Sequence, residues 1–140
     1  MDPYVSGKIS ADLYAEKCGV KGKLVAILNG YLEDRGLKLI MQPSRCIRSG
    51  EVHEIIITDE NDKKAGETVN KIGYLGFFAA ENSGVIVTGD TLHIDNKTFG
   101  VVLGFDETHC PNHINIIVYL SKRTTGAEAG LQLQSNVCFT

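Results

Sequence analysis

Apolar residues come in short runs along this chain, cut by glycine, proline and charged turns. "KLVAILNGYL" and "LKLIMQ" are parted by the turn-like "EDRG", and Pro43 ends the second. "EVHEIIIT" carries three consecutive isoleucines and favours a strand. "KIGYLGFFAA" is strand-like too, with glycines that predict bends or bulges. "GVIV", "TLHI" and "TFGVVLGF" then read as a meander, with a tight hairpin near Asp95, Asn96 and Lys97. "INIIVYL" is a buried strand, and "LQLQSNVCF" alternates as a final one. Only "SADLYAEKCG" suits a helix: Ser10 caps it, Asp12 favours its first turn and Gly19 ends it.

About nine short strands and one helix are therefore expected, a count in line with an all-β barrel or sandwich. The fold predicted is mainly β: a small closed or partly open β-barrel with one short N-terminal helix. Residues 1–20 form an arm and that helix, and residues 21–140 form a single barrel-like domain. Tyr74, Phe77 and Phe78 belong to a core or a subunit interface. Strand edges and aromatic surface point to a homo-oligomer.

Composition narrows the function classes. The chain has 140 residues, 43% hydrophobic, with a formal net charge of −3. That balance gives no electrostatic footprint for nucleic acid. No apolar stretch approaches the about 18 residues that a membrane-spanning helix needs, and the amino terminus lacks the pattern of a signal peptide. A soluble, cytoplasmic protein is the expectation. Cys18, Cys46, Cys110 and Cys138 are far apart and read as free thiols.

Reactive residues concentrate in "GFDETHCPNHINI". His109 and His113 are four apart, but Pro111 and Asn112 between them favour a loop over a helix. Loops held by rigid strands are where catalytic residues gather, so His109, His113 and Asp106 are the candidate catalytic groups. His109, Cys110 and His113 could instead ligate a metal, zinc being the ion such a set suits, with Asp106 as an oxygen donor and His53 or His93 as a fourth ligand. Cys110 beside His109 is also a candidate nucleophile. The plainer alternative is a turn shaped by Asp106, Thr108 and Asn112, with half-exposed histidines.

A second cluster is "PSRCIRSGEVHE". Arg45 and Arg48 could hold a phosphate or carboxylate, with His53 and Asn112 completing a ligand site. His53 and Glu54 are adjacent on a strand, so they face opposite ways and form no simple dyad. The expected partner is a small anionic molecule, with no nucleic acid and no membrane. A solvated loop is the alternative here.

From about Lys21 the chain resembles an uncharacterised family of small bacterial proteins of unknown function. "KGKLVAIL", "RGLKL", "PSRCIRSGEVHE", "GYLGF", "GVIVTGD" and "GFDETHCPNHINI" carry that likeness. The order "SGEVHEIIIT", "TGDTLHI", "NHINIIV" is also distantly similar to the glucitol/sorbitol phosphotransferase IIA component. That resemblance implies a small all-β barrel and a histidine that accepts a phosphoryl group. Aligned in that order, the family's strand-end histidine falls near Thr58, with His53 several residues earlier. Three function classes stand: a binding or accessory domain for an anionic metabolite, an enzyme (a metal-assisted hydrolase or a histidine phosphocarrier), and a structural subunit of a complex.

Overall fold

The computed structural model describes residues 2, 3, 5, 6 and 17–140. The predicted helix over 10–19 falls largely outside them, and its described residues 17–19 are not helical. Twelve strands follow: β1 (Val20–Ile27), β2 (Tyr31–Leu32), β3 (Leu37–Lys38), β4 (Ser44–Ile47), β5 (Val52–Thr58), β6 (Thr68–Val69), β7 (Ile72–Ala80), β8 (Gly84–Val87), β9 (Thr91–Ile94), β10 (Lys97–Asp106), β11 (Asn115–Tyr119) and β12 (Asn136–Phe139). Among the described residues no helix is long and apolar enough to cross a membrane.

Seven strands close into a barrel in the order β1-β12-β9-β10-β11-β5-β7, with β7 returning to β1. Every pairing in the ring is antiparallel except β11 with β5. Closure pairs both edges of each ring strand, and β2 adds outside it along β7.

Alternation along β5 explains its isoleucine run. Ile55 and Ile57 point into the barrel core, beside Leu75, Phe78, Phe105, Ile116 and Val118. Ile56 points outward into a second apolar cluster with Leu37, Leu39, Val69, Ile72 and Ile117. The strand is covered on both faces, so its sequence loses the apolar–polar alternation of a half-exposed strand. The outer cover is the segment 33–40. It is pinned by Arg35 N–H to Asn70 C=O, Leu39 N–H to Glu67 C=O and Ile40 N–H to Phe105 C=O.

Three expectations need correcting. The meander is only a β9–β10 hairpin: Asp95 and Asn96, both at positive φ, make its two-residue turn, while β8 pairs with β4. That β4–β8 ladder sends Ile47 and Ile86 into the barrel core. "LKLIMQ" contributes only the two residues of β3 to a ladder, because the segment serves as the outer cover. In "LQLQSNVCF" the strand starts only at Asn136, since Gln134 takes a left-handed turn conformation. The glycines of β7 do mark irregularities: register shifts occur against β5 and β1, and a Cβ on Gly76 would lie 2.3 Å from the Ala26 carbonyl oxygen.

Candidate functional site

The loop between β10 and β11 is organised by one carboxylate. Asp106 is buried and accepts four hydrogen bonds, from Thr108 N–H (3.0 Å), Thr108 Oγ1–H (2.8 Å), Asn115 Nδ2–H (3.0 Å) and Lys38 N–H (3.1 Å). The last bond ties the loop to the outer cover. Two turns follow, closed by Cys110 N–H to Glu107 C=O and Asn112 N–H to His109 C=O. Asp106 is thereby occupied in shaping the loop, the part that the turn reading gave it.

On the opposite side, residues 48–51 join β4 to β5. Gly50 sits at φ 92°, and the Glu51 carboxylate accepts the Arg48 N–H at 2.8 Å. β5 then carries His53 and Glu54 on opposite faces, and each finds a different partner.

His53 shares the inner face with Ile55 and is 3% exposed. Its Nδ1 accepts the Ile114 N–H at 3.0 Å. A backbone N–H can only donate, so this nitrogen carries no proton, and Nε2–H donates to Glu51 Oε1 at 3.2 Å. The ring is held neutral. Burial lowers its pKa below the ordinary value, with Arg45 and His113 adding to the effect against the pull of Glu51. For Glu51, burial pushes upward, but the Arg48 N–H, His53 and Arg45 outweigh it and hold the carboxyl below its ordinary value.

Glu54 lies on the outer face, opposite Asn115 on β11 and Phe77 on β7. It is buried, and its Oε1 is 3.3 Å from His113 Nε2. Burial raises its pKa, partly offset by His113, His109 and Arg35. The other His113 nitrogen, Nδ1, donates to Asn112 Oδ1 at 2.7 Å. The His113 ring meets Phe77 edge-on at 5.0 Å and stacks with His109 at 5.1 Å. Arg35 closes the array: Nη2 donates to His109 Nε2 at 3.3 Å and Nε to the Tyr74 hydroxyl at 3.0 Å. Asn115, fully buried, has an Oδ1 with no hydrogen-bond partner.

Arg45, Glu51, Val52, His53, Cys110, Pro111, Asn112 and His113 together line a cleft of about 360 Å³. The two motifs singled out in the sequence, far apart along the chain, thus share one hollow. Arg45 donates Nη1–H to the Cys46 carbonyl at 2.8 Å, while its Nε is buried with no partner. A second hollow of about 500 Å³, bordered by Leu39, Ile40, Met41 and Lys38, carries no histidine or cysteine.

Other candidates stand apart. Arg48 is exposed on the turn, outside the cleft lining. His93 is on β9, opposite Thr98 and Cys138, with β10 between it and β11. Cys110 is exposed, its thiol directed to the His113 carbonyl at 3.6 Å, not to an imidazole nitrogen. Among the described residues no group of three or more His, Cys, Asp or Glu side chains is arranged to hold a metal. The expected set His109, Cys110 and His113 is not such a group, and the Cys110 thiol faces the His113 carbonyl. The four cysteines are free thiols.

Glu54, Glu51 and Arg35 are the residues that sequence reasoning undervalued. Glu54 had a signal: a carboxylate inside a strand otherwise buried needs a partner. Arg35 had none, since only the outer cover brings it to His109.

A model of a family of unknown function, DUF6917, matches residues 14–140. No curated protein and no solved structure matches the chain. The likeness to the glucitol/sorbitol IIA component draws no support from these comparisons. Thr58, at the position aligned with that family's histidine, is fully buried and donates to the Lys71 carbonyl at 2.6 Å.

Proposed function

The chain belongs to this family of unknown function, so its role has to be read from the site, and we propose that the cleft binds a small anionic metabolite. The observation that carries the reading is Arg45 on the wall of a hollow that also holds His53, His113 and Asn112, its guanidinium bonded to the Cys46 carbonyl and in no ion pair with a described carboxylate. A guanidinium on a cleft wall with no carboxylate paired to it is suited to a ligand carboxylate or phosphate, which it can take up as a charge-assisted hydrogen bond. A cleft of about 360 Å³ is of the size that small ligands fill. His53, with both nitrogens committed, forms a fixed wall, and Asn112 offers an amide at the rim.

A second reading has its own support. The His113–Glu54 couple joins a buried carboxyl of raised pKa to an imidazole on the cleft wall, an arrangement that can give or take a proton. In that reading His113 transfers the proton and Glu54 orients it. A phosphoryl acceptor at His53 fits less well, since that ring is buried and its Nδ1 is engaged with the backbone.

Thermal-shift screening against carboxylates and phosphates tests the binding reading. A rise in Tm with one class, lost in Arg45→Gln, is the expected outcome. Absence of any shift, or a shift unchanged in Arg45→Gln, would sink it.

A further inference from the structure

The cleft holds charge of both signs, kept apart. Arg45 and Glu51 both line it, yet they form no ion pair with each other. The Glu51 Oε1 is spent on the Arg48 N–H and on His53. Its Oε2 receives no hydrogen bond from any described residue. Arg45 is in the converse position, with Nη1 spent on a carbonyl and Nε buried without an acceptor. An arginine in no ion pair and a carboxylate with one oxygen to spare therefore both line one hollow.

Resting on the anion-site reading above, we propose that the ligand is an aminated small anion, its carboxylate or phosphate on Arg45 and its ammonium on Glu51. A ligand carrying only negative charge would satisfy Arg45 but meet the Glu51 carboxylate, which costs affinity. A ligand with an ammonium turns that repulsion into a charge-assisted hydrogen bond. Neutral His53 adds no competing charge between them, because its two nitrogens are fixed by Ile114 and Glu51.

Matched pairs test this by calorimetry on the full chain: 4-aminobutanoate against butanoate, glutamate against glutarate, and phosphoethanolamine against ethyl phosphate. In at least one pair the aminated member should bind about tenfold or more tightly. Glu51→Gln should abolish that preference while leaving the deaminated member bound as well or better. Arg45→Gln should weaken both members. The wild-type comparison needs no variant, so an unstable Glu51→Gln protein does not blunt it. Equal affinity within every pair, or tighter binding of the deaminated members, overturns the aminated class while leaving the anion site in place. No binding by any member at millimolar concentration overturns both.

Discussion

His53 and His113 face the same cleft and are held in opposite ways. The His53 partners include a backbone N–H, which fixes the tautomer of the neutral ring. His113 is held by side chains alone, an amide oxygen and the buried Glu54 carboxyl. Between His113 and Glu54 a proton has two places to sit. The lesson is that a histidine bonded to the main chain is part of the scaffold, while one bonded to a carboxylate keeps its chemistry.

Removing each ring is the strongest way to break the comparison. His53→Ala leaves the Ile114 N–H unsatisfied and opens a cavity, so it should cost about 3 kcal/mol in urea unfolding. His113→Ala should cost about 1 kcal/mol, because Glu54 can take up a proton and stay neutral without its partner. Equal losses would mean that His113 is as much scaffold as His53. Between the two stands Asp106→Ala, at about 2 kcal/mol, since four donors lose their acceptor. Amide exchange at Lys38 and Thr108 should accelerate with it, and unaltered exchange would show that the loop holds its shape without this carboxylate.

The pH dependence of stability sharpens the contrast with a smaller effect. For Glu54 the folded pKa is raised above the ordinary value of 4.5. Its contribution is fully present below that value and is lost as pH rises through the folded pKa. For His53 the folded pKa is lowered below 6.5. Its contribution is present above that value and is lost as pH falls through the folded pKa. The two slopes oppose each other. Glu54→Gln should remove the loss on raising pH from about 4.5 and leave the loss on lowering it from about 6.5. Denaturation curves across that range read both, and a variant that keeps the high-pH loss would exclude Glu54 as its source. The smallest effect belongs to Cys110→Ser. An exposed thiol on a carbonyl should change stability by no more than about 0.5 kcal/mol and leave ligand binding intact. A large loss of binding would restore a role for the thiol.

The strands of the ring were largely legible, because their apolar runs are long and bounded by turn residues. "EVHEIIIT" and "INIIVYL" fall on β5 and β11 almost as read. The two-residue strands β2, β3 and β6 were not, since a ladder that short leaves no periodicity. At the site, the sequence singled out Arg45, His53, Asn112 and His113, which do meet in one cleft. It also singled out Cys110 as a metal ligand, but a residue's presence in a loop does not fix the direction of its side chain.

What the sequence by itself determined is the β class and the faces of β5, because side-chain alternation is local and sends His53 and Glu54 opposite ways. What only the tertiary structure decided is who their partners are. β11 runs parallel to β5, and parallel neighbours are joined by long connections, here the whole of β6 to β10. That register brings the Ile114 N–H to His53 and places His113 over Glu54, contacts between residues about sixty positions apart. No local pattern encodes a contact at that distance. It follows from closure of the barrel, which sets the strand order and with it which loop faces which turn.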